Sequence, residues 1–392
     1  MIFIAFTRPL KYALTAGLLA WLAGCATQPT PPTPTPSPTP TPAPAPLTYQ
    51  KANWAGLPVA SDQDAVNGFV AWRNGCTRLT RNPVWAEVCK EAANVGDDPA
   101  AVRAFMQSKL QPYALQNPDG SRTGLITGYY EPVYPGSLTR TERANVPVYG
   151  VPDDLITVDM ADVYPELKGK RIRGRLVGKK LVAYPDSSSI DQSGIQATPL
   201  AWLENRMDLQ FLQIQGSGRV KLADGSQIRL AYADQNGRPF KPIGRWLIDQ
   251  GELKSVEVSM QAIRNWAQQH PDRTSQLLAS NPSYVFFRTL PPANDGPQGA
   301  LAVPLTAGYS VAIDPKAVPL GSLLWLATTR PDNGAPLQGP MAAQDTGGAI
   351  AGNVRADLFW GTGDAAGEIA GRTRQSGAIW LLWPAGAALP GG

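Results

Sequence analysis

The chain has 392 residues, of which 43% are hydrophobic and 17% charged, and its formal net charge is +4. A chain of this length and composition can bury the cores of two or three domains, which excludes wholesale disorder, and a charge this close to neutral argues against a nucleic-acid-binding protein. Proline and glycine each number 38, an excess that favours a turn-rich β protein over a mostly helical one.

Residues 1–24 have the pattern of a secretory signal peptide. Arg8 and Lys11 form its positive region, and the apolar run that follows is too short to span a membrane. The Leu-Ala-Gly-Cys sequence ending at Cys25 resembles a bacterial lipobox, which implies cleavage before Cys25 and lipidation of its thiol. A plain signal peptide cleaved nearby is the alternative. Residue 26 is alanine, which by resemblance to sorted lipoproteins favours the periplasmic side of the outer membrane.

The segment from Pro29 to Pro46 holds 10 prolines in 18 residues. Such a segment adopts extended polyproline II and spans roughly 55 Å. We therefore expect residues 25–50 to be a lipidated tether that holds the folded body away from the membrane. A PxxP docking site is the alternative.

Cys76 and Cys89 remain as an even pair in an exported chain. Apolar residues recur at helical spacing before Cys76, and Asn82-Pro83 predicts the start of a second helix that carries Cys89. A disulfide that joins the two helices is the favoured interpretation. A metal pair has no partner ligands, and a redox pair is normally spaced CxxC.

The body that follows alternates between helical and β patterns. Asp98-Pro99 predicts a third helix, and residues 243–278 are helical again, with His270 as a solvated residue at a helix end rather than a catalyst. Alternation over residues 211–215 predicts a strand that leads into Gly216-Ser217-Gly218. Further strands are predicted at residues 125–130, 310–313, 323–327 and 378–382.

Several sites are excluded by motif. The single histidine leaves no multi-histidine metal site and makes a serine triad implausible, and the chain has no GxSxG elbow. It has no P-loop, and the glycines near residue 216 do not continue into GxGxxG. Any catalytic side chains are therefore of other types, and carboxylates are the leading candidates.

Asp345 is the acid with the most informative surroundings. It lies among small apolar residues and precedes Thr346-Gly347-Gly348, so apolar neighbours can raise its pKa while the glycines admit a substrate. Asp314, Asp357 and Asp364 lie nearby in sequence. Asp345 before Thr-Gly-Gly and Asp314 before proline are commonly turn residues, so the pattern alone favours turns over catalysis.

Several ordered motifs resemble the membrane-bound lytic murein transglycosylase A family over nearly all of residues 60–384. They are TGYYEP at 127–132, LQIQGSGR at 212–219, YADQNG at 232–237, NPSYVFF at 281–287, IDP at 313–315, QDTGGAI at 344–350 and RADLFWG at 355–361. The three aspartates Asp314, Asp345 and Asp357 match the pattern of the family's C-terminal three-aspartate module.

The resemblance implies a fold that is mainly β with N-terminal helices. Residues 51–132 and 279–392 are expected to form a double-psi β-barrel catalytic domain, and residues 133–278 an inserted β domain. A groove between the two domains would hold a glycan strand.

The resemblance also implies the reaction, which is cleavage of the β-1,4 bond between N-acetylmuramic acid and N-acetylglucosamine in peptidoglycan. The 6-hydroxyl of the muramic acid attacks in place of water and leaves a 1,6-anhydro ring, so the enzyme is a lyase that serves cell-wall turnover and remodelling. The position that matches Asp345 acts first as general acid and then as base. Asp357 and Asp364 are either support residues or turn residues. A non-catalytic wall-binding lipoprotein and a hydrolytic muramidase are the rival functions.

No cofactor, metal or nucleic acid is implied. The expected partners are glycan strands, the outer membrane through the lipid anchor, and a cell-wall synthesis complex of unknown composition. Exo and endo action are both compatible with the sequence.

At most one of the two adjacent tyrosines should face the groove, because neighbouring strand positions point in opposite directions. The candidate substrate-binding residues are Tyr129, Tyr130, Gln213, Gln215, Ser217, Gly218, Thr346 and Gly347.

Overall fold

The computed structural model describes residues 48–168, 170 and 172–390. The expected signal peptide at residues 1–24, the lipidated Cys25 and the tether as far as residue 47 lie outside these residues. The expected end of the tether at residue 50 is wrong, because Thr48–Lys51 is a strand.

The described residues form helices and strands in alternating groups. The helices are α1 (Asp62–Leu79), α2 (Ala86–Ala92), α3 (Pro99–Lys109), α4 (Ser187–Ser193), α5 (Arg206–Gln215), α6 (Ile243–Asp249), α7 (Met260–Gln269), α8 (Thr274–Ala279) and α9 (Asp364–Arg372). The strands are β1 (Thr48–Lys51), β2 (Leu110–Gln116), β3 (Gly124–Glu131), β4 (Val133–Ser137), β5 (Val146–Tyr149), β6 (Ile156–Val158), β7 (Ile172–Val177), β8 (Lys180–Ala183), β9 (Pro199–Leu203), β10 (Ser217–Lys221), β11 (Gln227–Gln235), β12 (Val285–Leu290), β13 (Ser310–Ile313), β14 (Leu323–Thr329), β15 (Pro336–Thr346), β16 (Ala356–Thr362) and β17 (Arg374–Pro384).

Six strands close into a barrel in the order β17, β14, β15, β13, β16, β3, and β3 pairs back onto β17. Strands β2 and β1 extend the sheet outward from β17. All four residues of β13 and most of β14 are buried, because barrel strands pack on the interior and on the covering helices at once. The expected fold class, mainly β with a barrel and N-terminal helices, is confirmed.

The N-terminal helices cover one side of the barrel. α1 begins where Ser61 accepts a hydrogen bond from the Asp64 amide, and α3 begins where Asp98 does the same for Ala101. α1 lies directly on β15, since a Cβ at Gly68 would be 1.9 Å from the Pro340 carbonyl oxygen. Both helices were expected from their apolar spacing. α2 begins later than the Asn82-Pro83 signal predicts.

Cys76 of α1 and Cys89 of α2 form a disulfide with a sequence separation of 13, which is the expected pairing. Closing a loop of this size removes conformational entropy from the unfolded chain, by about 3 kcal/mol. We expect the double variant Cys76→Ser/Cys89→Ser to lose about that much free energy of unfolding in urea titrations. Reduced wild-type protein is the control and should match the variant. An unchanged midpoint in both would show that the link adds no stability.

A second sheet with its own hydrophobic core is built from the segment that follows β3. Its strand order is β12, β11, β10, β4, β9, β5, and β6, β7 and β8 form a small separate sheet. The expected boundary at residue 278 falls before β12, but β12 pairs with β11 from Val285 to Leu290. Residues up to Leu290 therefore belong to the second sheet rather than to the barrel.

The strand expected at residues 211–215 is wrong, because these residues are the C-terminal half of α5. Asn205 caps the helix by accepting a hydrogen bond from the Met207 amide, and Gly216 ends it with φ +75°. Every residue from Met207 to Gln213 is buried. Apolar and polar side chains alternate over residues 211–215, and over so short a window this pattern fits a strand as well as the end of a helix.

His270 lies directly after α7, as expected, but it is half-buried rather than solvated. Its ring stacks on Trp266 at 4.5 Å between centroids, and its Nδ1 lies 2.9 Å from the Trp266 carbonyl oxygen. Among the described residues, no helix is both long and apolar enough to cross a bilayer.

Candidate active site

The register of the barrel places two aspartates in one row across four strands. Ala312 of β13 pairs with Asp345 of β15 on one side and with Asp357 of β16 on the other, and Asp357 pairs in turn with Thr127 of β3. Side chains at paired positions point to the same face, and neighbouring strands lie about 4.8 Å apart. Both carboxyl groups therefore face the same side of the sheet, with only the methyl group of Ala312 between them.

A β-bulge in β15 aims Asp345 toward this face. β15 has one residue more than β13 at this point, and the extra residue is Gln344. The Gln344 side chain is buried, where Nε2 donates to the Ala71 carbonyl of α1 at 2.6 Å and Oε1 accepts from the Ser310 hydroxyl at 2.6 Å. Bulges commonly redirect a side chain next to a functional site. Here the bulge lets Gln344 bond to α1 and brings Asp345 into register with Ala312.

The carboxyl group of Asp345 has three hydrogen-bond donors. Oδ1 accepts from the backbone amides of Ala300 at 3.0 Å and Thr346 at 2.9 Å, and Oδ2 accepts from the Tyr129 hydroxyl at 2.9 Å. Burial raises the pKa of Asp345, and the three hydrogen bonds oppose that rise by stabilising the carboxylate. The group is therefore suited to both gaining and losing a proton, which is what acid–base catalysis requires.

Asp357 is engaged by its neighbours. Its Oδ1 accepts from the Thr127 hydroxyl at 2.5 Å, and Arg355 donates to the same hydroxyl at 2.8 Å. Burial raises the pKa of Asp357 to about 6, opposed by the Thr127 hydrogen bond and the Arg355 charge and increased by the negative charge of Asp345. Asp357 thus lies close enough to influence Asp345 electrostatically.

The other two aspartates occupy loop and helix-end positions. Asp314 accepts from the backbone amides of Lys316 at 3.0 Å and Gly352 at 2.9 Å, so it ties the end of β13 to the loop that follows Asp345. Asp364 is exposed in the first turn of α9, where a negative charge favours the helix dipole. Its support of Asp345 stays a prediction.

The two adjacent tyrosines point to opposite sides, as the strand period requires. Tyr129 packs with Phe359, Leu305 and Ile350 on the Asp345 side. Tyr130 packs against Ala366 and Ala370 of α9. Both are 8% exposed, so neither presents an open ring face to a sugar.

The glutamine and glycine candidates lie elsewhere than expected, because α5 replaces the expected strand. Gln213 is buried and its Nε2 lies 3.5 Å from the Val285 carbonyl oxygen, while Gln215 accepts from the Tyr130 amide at 3.1 Å. Ser217 is buried at the start of β10. A Cβ at Gly218 would lie 2.4 Å from Leu212, so close backbone packing explains this glycine. Sugar contact by these four residues stays a prediction.

Thr346 and Gly347 extend from Asp345 at the end of β15. The Thr346 amide is one of the donors to Asp345. A Cβ at Gly347 would lie 2.8 Å from the Ile350 side chain, whereas Gly348 is exposed with nothing near it. The open glycine is therefore Gly348, one position later than the candidate chosen from the sequence.

Sequence reasoning missed a buried carboxylate close to the site. Glu131, at the end of β3, is 1% exposed and accepts from Arg219 Nε of β10 at 2.8 Å and from the Thr362 hydroxyl at 2.7 Å. The TGYYEP motif contains Glu131, but nothing in that motif indicates its partner, which lies 88 residues later.

Among the described residues, no group of three or more histidine, cysteine, aspartate or glutamate side chains is arranged to hold a metal ion. What the barrel presents is one hydrogen-bonded carboxyl group, Asp345, with a second acid held nearby. Fold and site together define a β-barrel protein equipped for proton transfer by a single aspartate.

Comparison with known proteins identifies the family. The family model described as the MltA specific insert domain matches residues 125–288, and the 3D domain model matches residues 309–383. The membrane-bound lytic murein transglycosylase A of Escherichia coli K12 is 31% identical over 386 residues, covering 96% of each chain. The chain belongs to the membrane-bound lytic murein transglycosylase A family, which confirms the resemblance noted from its motifs.

Solved structures of MltA proteins are similar to this chain in sequence and in fold. Crystalline MltA from Neisseria gonorrhoeae is 37% identical with a TM-score of 0.76, covering 87% of this chain and 93% of its own. E. coli MltA with bound chitohexaose is 28% identical with a TM-score of 0.65, covering 86% of this chain and 94% of its own.

Proposed function

We propose that this protein is a lytic murein transglycosylase that cleaves the β-1,4 bond between N-acetylmuramic acid and N-acetylglucosamine and leaves a 1,6-anhydro end. The observation that carries the assignment is the setting of Asp345, a carboxyl group with a raised pKa and three donors ready to stabilise its anion. Relatives named lytic murein transglycosylases, and one structure that holds the β-1,4 glycan chitohexaose, support the substrate class.

In the proposed mechanism Asp345 acts twice. As a carboxylic acid it protonates the glycosidic oxygen while the bond from that oxygen to the anomeric carbon breaks. As a carboxylate it then removes the proton from the 6-hydroxyl of the same muramic acid, whose oxygen bonds to the anomeric carbon. Because the nucleophile belongs to the substrate, ring closure is intramolecular and no water enters. The proton returns to Asp345, which is ready for another cycle.

The surroundings of the other buried acids favour this scheme over hydrolysis. A hydrolytic muramidase uses two carboxyl groups, one as acid and one as base or nucleophile. Asp357 is bonded to Thr127 and faces Arg355, and Glu131 is bonded to Arg219 and Thr362. Each of these two acids lies beside an arginine, whereas Asp345 is bonded only by two backbone amides and a tyrosine hydroxyl, so we assign the chemistry to Asp345. A wall-binding protein without activity would not need an acid in this setting.

We also propose that the barrel and the inserted sheet are two domains that flank the glycan. In this arrangement residues 48–131 and 291–392 form the catalytic barrel, and residues 132–290 form the opposite wall. The separate hydrophobic cores of the two sheets support the division. A cell-wall synthesis complex as partner stays a prediction.

Membrane association follows from the relatives, which are named membrane-bound. We propose that acyl chains on Cys25 attach this protein to the periplasmic side of the outer membrane. A proline-rich tether would then let the folded body reach the wall.

The reaction products test the proposed function. Protein lacking residues 1–25, incubated with murein sacculi, is expected to release muropeptides with 1,6-anhydro ends, as measured by mass spectrometry. Products heavier by one water, with reducing ends, would instead identify a hydrolase. No released product at all would favour a wall-binding protein.

A further inference from the structure

The two oxygens of the Asp345 carboxyl group are held by different kinds of donor. Oδ1 faces the amides of Ala300 and Thr346, and a backbone amide can only donate. Oδ2 faces the hydroxyl of Tyr129, and a hydroxyl can both donate and accept. A proton on Asp345 is therefore compatible with Oδ2 and incompatible with the contacts of Oδ1.

Tyr129 is itself fixed and protonated. Its ring packs on Phe359 with 5.4 Å between centroids and is enclosed by Leu305, Ala312 and Ile350. Burial, followed by the charge of Asp345, raises the pKa of the Tyr129 hydroxyl well above its usual value. The hydroxyl therefore keeps its proton throughout the pH range in which Asp345 titrates.

We propose that Tyr129 is a positioning residue for Asp345. The buried hydroxyl of Tyr129 holds Oδ2 of Asp345 in one orientation in both protonation states of the carboxyl group. It donates to the carboxylate formed after the acid step, and it remains a partner for the protonated oxygen before that step. This role rests on the proposed function, because only a carboxyl group that acts as acid and then as base must pass through both states.

The test compares Tyr129→Phe with wild type and with Tyr309→Phe. Tyr309 is a matched control because its hydroxyl also donates to a carboxylate at 2.9 Å, that of Asp64 on α1. Phenylalanine keeps the ring that packs the core, and thermal melting checks that each variant is folded. Rates of anhydro-muropeptide release and affinity for a chitooligosaccharide are measured across the pH range.

The sign of the pH effect follows from the lost donor. The charged or titratable groups around Asp345 are Tyr129 of β3 and Asp357 of β16, and Arg355 acts through Asp357. Removing the Tyr129 hydroxyl withdraws a donor from the carboxylate, so the protonated form persists to higher pH. We expect the high-pH limb of kcat/KM to move up by about one pH unit. We expect kcat to fall by at least about tenfold, with KM within about twofold of wild type, since the hydroxyl holds the acid and not the sugar.

Three outcomes of this experiment distinguish the positioning role of Tyr129 from the proposed function. A shifted limb and a lower kcat in Tyr129→Phe, with Tyr309→Phe unchanged, support the positioning role. A Tyr129→Phe profile that superimposes on wild type overturns this role, while anhydro products from both proteins leave the proposed function standing. Equal effects in Tyr129→Phe and Tyr309→Phe also overturn it, because they reveal a general effect of losing a tyrosine hydroxyl that donates to a carboxylate.

Discussion

Replacing Asp345 by asparagine is expected to lower the rate of glycan cleavage by at least about 1,000-fold while glycan binding persists. A positioned acid or base contributes roughly 10²–10⁴-fold, and this one residue fills both roles. Asparagine retains an oxygen that can accept from the amides of Ala300 and Thr346 and a nitrogen that can donate to Tyr129, so the fold should remain intact. Product release measured by mass spectrometry and binding of a chitooligosaccharide by calorimetry check the two parts separately.

The control is Asp97→Asn, which removes a charge of the same kind from an exposed ion pair with Arg73. Its cleavage rate should match wild type, because exposed pairs contribute little. Retention of full activity in Asp345→Asn would remove the acid–base assignment altogether. If the variant lost both glycan binding and cleavage, Asp345 would bind the glycan rather than transfer protons to and from it.

Replacing Glu131 by glutamine is expected to destabilise the protein by about 3 kcal/mol. Glu131 is 1% exposed and pairs with Arg219, which is 11% exposed, so neutralising the acid leaves a buried guanidinium without its counter-charge. The pair also joins the two sheets, since Glu131 ends β3 of the barrel and Arg219 lies on β10 of the second sheet. Urea titration of the purified variant measures the loss of unfolding free energy.

An exposed pair provides the comparison for Glu131. Asp249 and Arg245 on α6 are also 2.8 Å apart, but their side chains are 50% and 71% exposed. Asp249→Asn should therefore cost at most about 1 kcal/mol. If both variants lost equally little, the buried pair would contribute no more than a surface one, and the junction of the sheets would rest on backbone and apolar contacts.

Local signals in the sequence predicted much of the framework. The apolar spacing before Cys76 predicted α1, and Asp98-Pro99 predicted α3. The strand at residues 310–313 was predicted with its observed bounds. The pairing of Cys76 with Cys89 was predicted by elimination and is present. Each of these depends on residues close together in the chain, where propensity and periodicity are informative.

Features that depend on distant residues could not be predicted in the same way. The extra residue Gln344 is visible as a bulge only against the register of β13, and the Tyr129–Asp345 hydrogen bond spans 216 residues. α5 was misassigned because the alternation over residues 211–215 fits a strand as well as the end of a helix. The boundary after Leu290 depends on which strand β12 pairs with, and a single sequence does not contain that information. The family resemblance identified Asp345, but the hydrogen-bond partners of Asp345 could be identified only from the structure.

Closure of the barrel by β17 has a consequence for the newly made chain. Thr127 meets Asp357 from 230 positions away, and β3 also pairs with β17, whose last residue is Pro384. A polypeptide that emerges from its N-terminus cannot assemble the row of Asp345, Ala312, Asp357 and Thr127 until nearly all of it has been synthesised and released. The topology of the barrel alone thus delays assembly of the site until the chain is nearly complete.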